Sequence, residues 1–598
     1  MGQAFSPCQA LMFLNRYPVS RALLAGLTLW CALAHGQSMD ESLTRLTPAT
    51  LSGLPGNWKP AGSLLVNPQD AGAKTTSGNT VLVGSAGQPV TLLTGARDVR
   101  LLMEVMLSPG ADAQLLVSGA PIRLADNWGT AGVNARTIGT VTTGTAELPT
   151  RSTGRAPGLW QQVELLMESG RKPAVLAQLK LNGVLIQENL VLPNLPQAAA
   201  GTVALQVNNG TVAVRNIGYQ LVSDRKVASL NNLRYQFYEA KTETTSPEAL
   251  KNLKMIKEDT TSTLSYEVSY GQPRWHAIVY TGDLTVDKAG TYTIALQNGG
   301  YAGLDIDGKS VIANTYQDLG KMNTARINLS AGKHPIKLFY GRSWPRPGFG
   351  LFIAAPDTKF QTLHAPASLP EPDPVGTIAV PVRDEPVLIR SFVQLPGEAR
   401  KRTHCLSVGT PSGLHYTVDL NQDALLQVWR GDFADATEMW YERGEPQLLE
   451  PMGSPVRLAP QSAVALLSNA QQAWPDTMAT TDFTYKGLKL DQQGHPTTRY
   501  RYRDIDVTDA LLPTTDGKAL NRTLTLSGSG NGSLYCRLAT GQTIDEVAKG
   551  LYAIDDHRYY VRLDPKQKAT LRTSNGRQEL LMPVSGNGNT TIQYAYIW

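Results

Sequence analysis

From Leu64 to Val222 the chain repeats one pattern, short segments that alternate apolar and polar residues, each closed by Gly, Pro, Asn or Asp. "TVLVGS", "VTLLTG", "VRLLMEVMLS", "AQLLVSG", "QQVELLME", "VLAQLKLNGVLI" and "GTVALQV" follow one another in this way. A period of two sends every second side chain to the same face of a strand, so each segment can bury one face and wet the other. The turns this demands are supplied by 54 Gly and 37 Pro. Antiparallel strands at such spacing predict a sandwich of the jelly-roll type. Asn182-Gly183 and Asn209-Gly210 are predicted hairpin turns, the second joining two strands within "GTVALQVNNGTVAVRNIGYQLV", Gly201 to Val222.

With 598 residues the chain exceeds what one core can hold. A second β-rich stretch runs from about Leu233 to Pro356, with "TSPEALKNLKMIKED" as its predicted helix. The Pro-rich segment "APASLPEPDPVG", Ala365 to Gly376, predicts a stiff spacer. A third β-rich region follows from about Val380 to Trp598. At the N-terminus, Arg16 and Arg21 precede the apolar run Ala22 to Ala34 and an Ala-Leu-Ala site, the layout of an export signal. The expected division is a signal peptide at 1–36, a first sandwich at 50–224, a second at 230–362, a linker at 363–378 and a C-terminal region at 379–598. The expected fold class is multi-domain and all-β.

A formal net charge of +5 over this length gives no reason to expect nucleic acid or an anionic membrane as partner. No later segment is long and apolar enough for a transmembrane helix, so the mature protein is expected in the periplasm or outside the cell. Cys8 and Cys31 leave with the signal, and Cys405 and Cys536 remain. An oxidising compartment predicts a disulfide between them, worth about 4–5 kcal/mol in the loop-entropy picture; the alternative is two buried thiols. There is no haem-attachment motif and no zinc spacing, so neither metal nor cofactor is expected.

The segment "ALQVNNGTVAVRNIGYQLV" resembles the closing strands of the 3-keto-disaccharide hydrolase family, a concanavalin-like jelly roll. "DVRLLMEVMLSPGADAQLLVSG", "GLWQQVELLM" and "LNGVLI" fall in that family's order. The second stretch, "GDLTVDKAGTYTIALQNGGYAGLDIDGKSVI" followed by "LSAGKHPIKLFY", resembles the protective-antigen-type (PA-fourteen) β-sandwich, often a carbohydrate-binding module. The C-terminal block from Arg402 to Gly453 is similar to regions of large exported bacterial proteins that also carry sugar dehydrogenase or cytochrome domains.

The first resemblance implies cleavage of glycosides oxidised at C3, where the ketone acidifies the C2 proton and a general base starts elimination. No histidine lies between His35 and His276, so a base there is a carboxylate unless another domain lends a histidine. The carboxylates there are Glu104, Asp126, Glu164 and Glu188, of which Glu104 and Asp126 are the candidates, although a mid-strand carboxylate like Glu104 is more often half-exposed filler. Asp126-Asn127-Trp128 puts an acid, an amide and an indole in one loop, which suits a sugar; the alternative is an Asx turn with a packed Trp. Ser118 stands where relatives carry Arg, which argues against catalysis. In the second module "QNGGYAG" replaces the paired aspartates of calcium-dependent relatives, so calcium is not expected, while Asp305 and Asp307 remain candidates for sugar contact. The third region gathers Arg402, His404, Trp429, Arg430, Asp432, Asp435, Glu438, Trp440, Glu442 and Arg443, either a glycan cleft or the ion pairs and ring packing of a large core. His404 with Asp432 or Glu438 is the place for a general base.

Three functions follow. The first is an exported multi-domain carbohydrate-binding protein. The second is an active 3-keto-glycoside hydrolase or lyase. The third is a non-enzymatic accessory subunit whose partner is a periplasmic sugar dehydrogenase or cytochrome. Convergence of acids and donors on one concave face separates the second from the others.

Overall fold

The computed structural model describes residues 43–70, 72–130, 132–193, 195, 201–372, 376–440, 447–469, 471–529, 533–584 and 587–598. The expected signal peptide lies outside them, as do Glu442 and Arg443. Residues Thr44 to Trp598 form one compact unit. Strands make up 57% and helices 4%, so the architecture is all-β and built from several sheets.

The first sandwich packs an eight-stranded sheet on a six-stranded one. At the centre of the larger sheet, Asp98–Leu107 lies between Gln161–Glu168 and Thr211–Leu221. Val99, Leu101, Met103 and Val105 from this sheet meet Leu115, Val117, Ile122, Val203 and Leu205 from the other in one buried cluster. The alternation that defines these strands in the sequence is the alternation of the core face.

The two strands around Asn209-Gly210 do not form a hairpin. Val203–Asn209 pairs with Val90–Leu93 and Asp112–Val117 in the smaller sheet. Thr211–Leu221 pairs with Asp98–Leu107 and Ala73–Ser85 in the larger. Gly210, at φ 75°, carries the chain across the sandwich, and a Cβ there would crowd Ala111. Both strands have an apolar face to bury, and facing each other across the core buries both. Asn182-Gly183 is the tight turn expected, with φ of 53° and 82°.

The second sandwich is organised by one long strand, Gly290–Ile306. Its first half pairs with Met322–Leu329 and Gly348–Ala354, its second half with Gly332–Gly341 and Lys309–Gln317. The bend between the halves falls at Gly299-Gly300, with Gly300 at φ 121°. The rings of Tyr235, Phe237, Tyr266, Tyr280, Tyr340 and Phe349 fill the core. The helix expected in "TSPEALKNLKMIKED" is one 3-10 stretch, Pro247–Asn252, followed by the strand Lys254–Thr260. Met255, Ile256 and Lys257 fit a strand edge, where β-branched and long side chains pack.

The Pro-rich segment starts as part of this sandwich rather than as a free spacer. Ser368 is buried, accepts from Tyr266 N at 2.9 Å and donates to Phe349 O at 2.7 Å. The C-terminal region comprises sheets of three, five, four and eight strands. Its main core includes Ala156 and Leu159 from the first sandwich, so these two parts of the chain share buried surface.

Cys405 and Cys536 are free thiols, not a disulfide. Cys405 packs with Val393, Leu395, Ala424 and Leu426, while Cys536 belongs to the main C-terminal core. They sit on strands of different sheets.

Candidate functional site

The bend at Gly299-Gly300 gathers the loops at one end of the second sandwich. Strand register places their roots side by side: Glu239 lies opposite His276, Ala277 opposite Gly341, and Tyr301 opposite both Gly341 and Tyr316. Glycine is required where these loops meet the bend, since a Cβ on Gly299 would collide with the Arg346 carbonyl oxygen. The loop 342–347 is thereby set against the strand through bare backbone.

That loop presents Trp344, which is 69% exposed. Its ring meets Trp275 edge-on at a centroid distance of 5.0 Å, and the Arg274 guanidinium lies 5.1 Å and 5.6 Å from the Trp275 and Trp344 centroids. Beside Trp344, Ser343 Oγ donates to Glu243 Oε2 at 2.6 Å. A second ring pair, Tyr301 and Tyr316, is T-shaped at 5.4 Å. Burial, then Asp318, Tyr301 and Glu243, push the Tyr316 phenol up to about 12. Glu243 thus borders both ring pairs.

Three side-chain amide oxygens at this end, Asn298 Oδ1, Asn314 Oδ1 and Gln317 Oε1, are buried and accept no hydrogen bond. Their amide nitrogens are fixed, Asn298 on Gly300 O, Asn314 on Thr245 O and Gln317 on Asn323 Oδ1, each at 2.7 Å. Exposed rings beside amide-rich loops offer contacts for C–H faces and for donating hydroxyls.

Residues 233–346 match the PA14 domain. Among solved structures, the PA14 domain of the MpAFP antifreeze protein is similar at 16% identity, over 24% of this chain and 93% of that one, with a TM-score of 0.21. The epithelial adhesin 9 A domain from Candida glabrata, solved with Galb1-3GlcNAc, is similar at 12% identity over 24% and 90%, TM-score 0.20. A β-glucosidase from Kluyveromyces marxianus is similar at 16% identity over 20% of this chain, TM-score 0.16, and the matched part spans 15% of that enzyme. Scores of this size carry no weight for function. No curated protein matches the chain.

Elsewhere in the PA14 domain, Ser330, His334 and Asp307 look like a nucleophile, base and acid. His334 Nδ1 is 2.7 Å from Asp307 Oδ2, and Nε2 is 3.4 Å from Ser330 Oγ. Nε2 lies closer to the Ser330 carbonyl, at 2.9 Å. That bond, with the Asp307 carboxylate, raises the imidazole above its usual range against the opposing effect of burial. Both ring nitrogens face acceptors, the Asp307 carboxylate and the Ser330 carbonyl, so His334 is a clamp between two turns rather than a base aimed at Ser330 Oγ.

The expected site residues are dispersed. Asp305 lies in its strand opposite Ser310 and Lys337, and Asp307 holds His334. Asp126, Asn127 and Trp128 do share a loop, but it is turned into the molecule. Asp126 accepts from Gly110 N at 2.9 Å and from Trp128 N at 3.0 Å, an Asx turn. Trp128 packs against the C-terminal core with Lys518 Nζ 4.9 Å from its ring. Glu104 Oε2 accepts from Arg215 Nε at 2.7 Å and Asn216 Nδ2 at 2.9 Å.

In the C-terminal region, Trp429 has no face for a ligand. It is 1% exposed, stacked on Phe433, and its indole N–H donates to Phe433 O at 2.7 Å. His404 is exposed and lies 3.0 Å from Thr403 Oγ1. The expected pairing of His404 with Asp432 does not form. Register puts His404 beside the Cys405–Asp419 end of its sheet, whereas Asp432 follows Arg430 at the Leu414 end. Glu438 accepts from Leu448 N at 3.3 Å, and Trp440 is exposed at the end of a four-residue helix.

Trp344, Arg274 and Tyr316 were not among the expected residues. The signal was present in "YGQPRWH" and "RSWPRPG", where aromatic and arginine residues sit beside prolines between strands, the mark of a loop rather than a core.

Proposed function

We propose that this chain is an exported, multi-domain carbohydrate-binding protein whose PA14 domain holds a sugar at the Trp344 end. The observation that carries this reading is an indole that is largely exposed yet fixed, by Trp275 on its edge and Arg274 above both rings. A rigid exposed ring stacks on a sugar's C–H face with little ordering cost, and the unused amide oxygens nearby match hydroxyl donors. The first sandwich, in this reading, is a scaffold of the 3-keto-disaccharide hydrolase type used for holding rather than cleaving. Its strand carboxylate Glu104 is already engaged by Arg215 and Asn216.

The test is a glycan panel probed with the full chain and with Trp344→Ala. The reading predicts retention of at least one glycan class by the wild type and a loss of about tenfold or more in the variant, about 1.4 kcal/mol. Equal binding by both would remove Trp344 from the site, and no retention of any glycan would end the reading.

A further inference from the structure

Among the described residues, two sets of the buried polar atoms without hydrogen-bond partners differ in chemistry. At the PA14 loop end they are oxygens. Where the first sandwich meets the C-terminal region they are nitrogens: Trp128 Nε1, Arg155 Nε, and both Nε and Nη2 of Arg430. Arg430 is only 8% exposed.

Arg430 and Trp128 are held in one seam from two sides. On the backbone side, a Cβ on Gly431 would come within 2.8 Å of Ser152 O, and Ser152 Oγ accepts from Asn127 Nδ2 at 3.2 Å. On the other side, Lys518 lies over the Trp128 ring, and a Cβ on Gly129 would come within 3.4 Å of Asp516 O. Asp516 forms no ion pair with Arg430; its Oδ1 accepts from Thr514 Oγ1 at 2.6 Å and Lys518 N at 3.1 Å, and its charge acts on Arg430 only from a distance. His415 adds no acceptor, since Nδ1 takes Thr410 N at 3.1 Å and Nε2 donates to Gly431 O at 2.7 Å. The seam holds an indole N–H, two guanidinium N–H groups and a lysine ammonium.

We propose that this seam is a binding site for a small oxyanion, a carboxylate or an inorganic phosphate or sulfate, with Trp128 and Arg430 as its donors. Leaving a charged donor buried and unpaired is strongly unfavourable, and an anion removes that cost whereas a water supplies an acceptor without the charge. Burial alone holds the Arg430 guanidinium down to about 10, with Asp516 opposing. Carboxylates and phosphates offer paired oxygens that match the guanidinium edge, a geometry chloride lacks.

Thermal unfolding of the full chain tests this, with chloride replaced at constant ionic strength by phosphate, sulfate or glucuronate. A ligand that binds only the folded state raises Tm with its concentration. The site predicts a rise over the chloride control with at least one of the three, inorganic anions and the sugar acid marking the two sources. Trp128→Phe keeps the ring beneath Lys518 and removes only the N–H; it should weaken the apparent affinity at least tenfold. Arg430→Gln should abolish the rise, and if it does not fold, Trp128→Phe decides. No rise over chloride in any arm, or an undiminished rise in Trp128→Phe, overturns the proposal.

Discussion

Asp307 and His334 show how a single turn residue can do two jobs. Asp307 takes φ 52° and Gly308 φ 72°, the pair of left-handed positions that a two-residue hairpin turn demands. The Asp307 carboxylate then holds His334, whose imidazole is raised above its usual value of about 6.5. A group with a raised folded pKa stabilises fully below its unfolded value and loses that contribution as pH climbs through the folded one. The PA14 domain should therefore become less stable as pH rises from about 6 into the range above 6.5. His334→Gln should flatten that part of the profile in a thermal melt, and an unchanged slope would remove His334 from the account. Burial pushes both Cys405 and Cys536 up to about 12. Thiolates are then scarce near neutral pH, so iodoacetamide should leave Cys405 and Cys536 unmodified in the native protein and label both after denaturation, as peptide mapping would show. The Asn182-Gly183 turn was legible because only a few residues accept that backbone. The cysteine pairing was not, because spacing along the chain does not say which sheet each strand joins.

At the scale of an element, the strand Gly290–Ile306 builds the candidate site. It serves both layers of the sandwich, and Gly299 lets the loop carrying Trp344 lie against its bend. Gly299→Ala should push the Arg346 carbonyl away, destabilise the domain by about 1–3 kcal/mol and weaken glycan binding alongside Trp344→Ala. A melt and a binding curve on the same sample check both. Alternation identified most strands of the first sandwich, while this strand, buried along most of its length, entered through the family resemblance. It did not show that Val203–Asn209 and Thr211–Leu221 face each other across a core, because a hairpin and a crossover share the same period and the same Asn-Gly. It also missed that Ser368 ties the Pro-rich segment to the PA14 core, a matter of one hydroxyl.

Over the whole molecule, the first sandwich and the C-terminal region behave as one body. Asp555, Asp556 and His557 all take positive φ at a turn that docks on the first sandwich. Arg215 Nη2 pairs with Asp556 at 2.6 Å, the guanidinium carbon lies 4.0 Å from the Trp160 ring centroid, and His557 Nδ1 donates to Gly158 O at 2.9 Å. Tyr560 Oη is 3.2 Å from both Val66 O and Pro157 O. Tyr560→Phe should cost about 1 kcal/mol and lower the melting of both parts in a single transition, which calorimetry would show; separate transitions would contradict a shared core. On the PA14 side, Lys359 Nζ reaches Asp98 at 3.3 Å, Glu168 at 3.1 Å and Asp224 at 3.0 Å. None of these contacts was legible in the sequence, since all but Arg215 over Trp160 join residues more than a hundred positions apart.

The claim that joins these scales is that the molecule holds a carbohydrate without cleaving it. Incubation of the purified chain with a 3-keto-glucoside beside its unoxidised parent, following release of the aglycone, tests it most directly. The account predicts no enzyme-dependent release from either compound at high protein concentration. Release from the keto form alone would contradict it, and would return Glu104, Asp126 and His404 to consideration as the base.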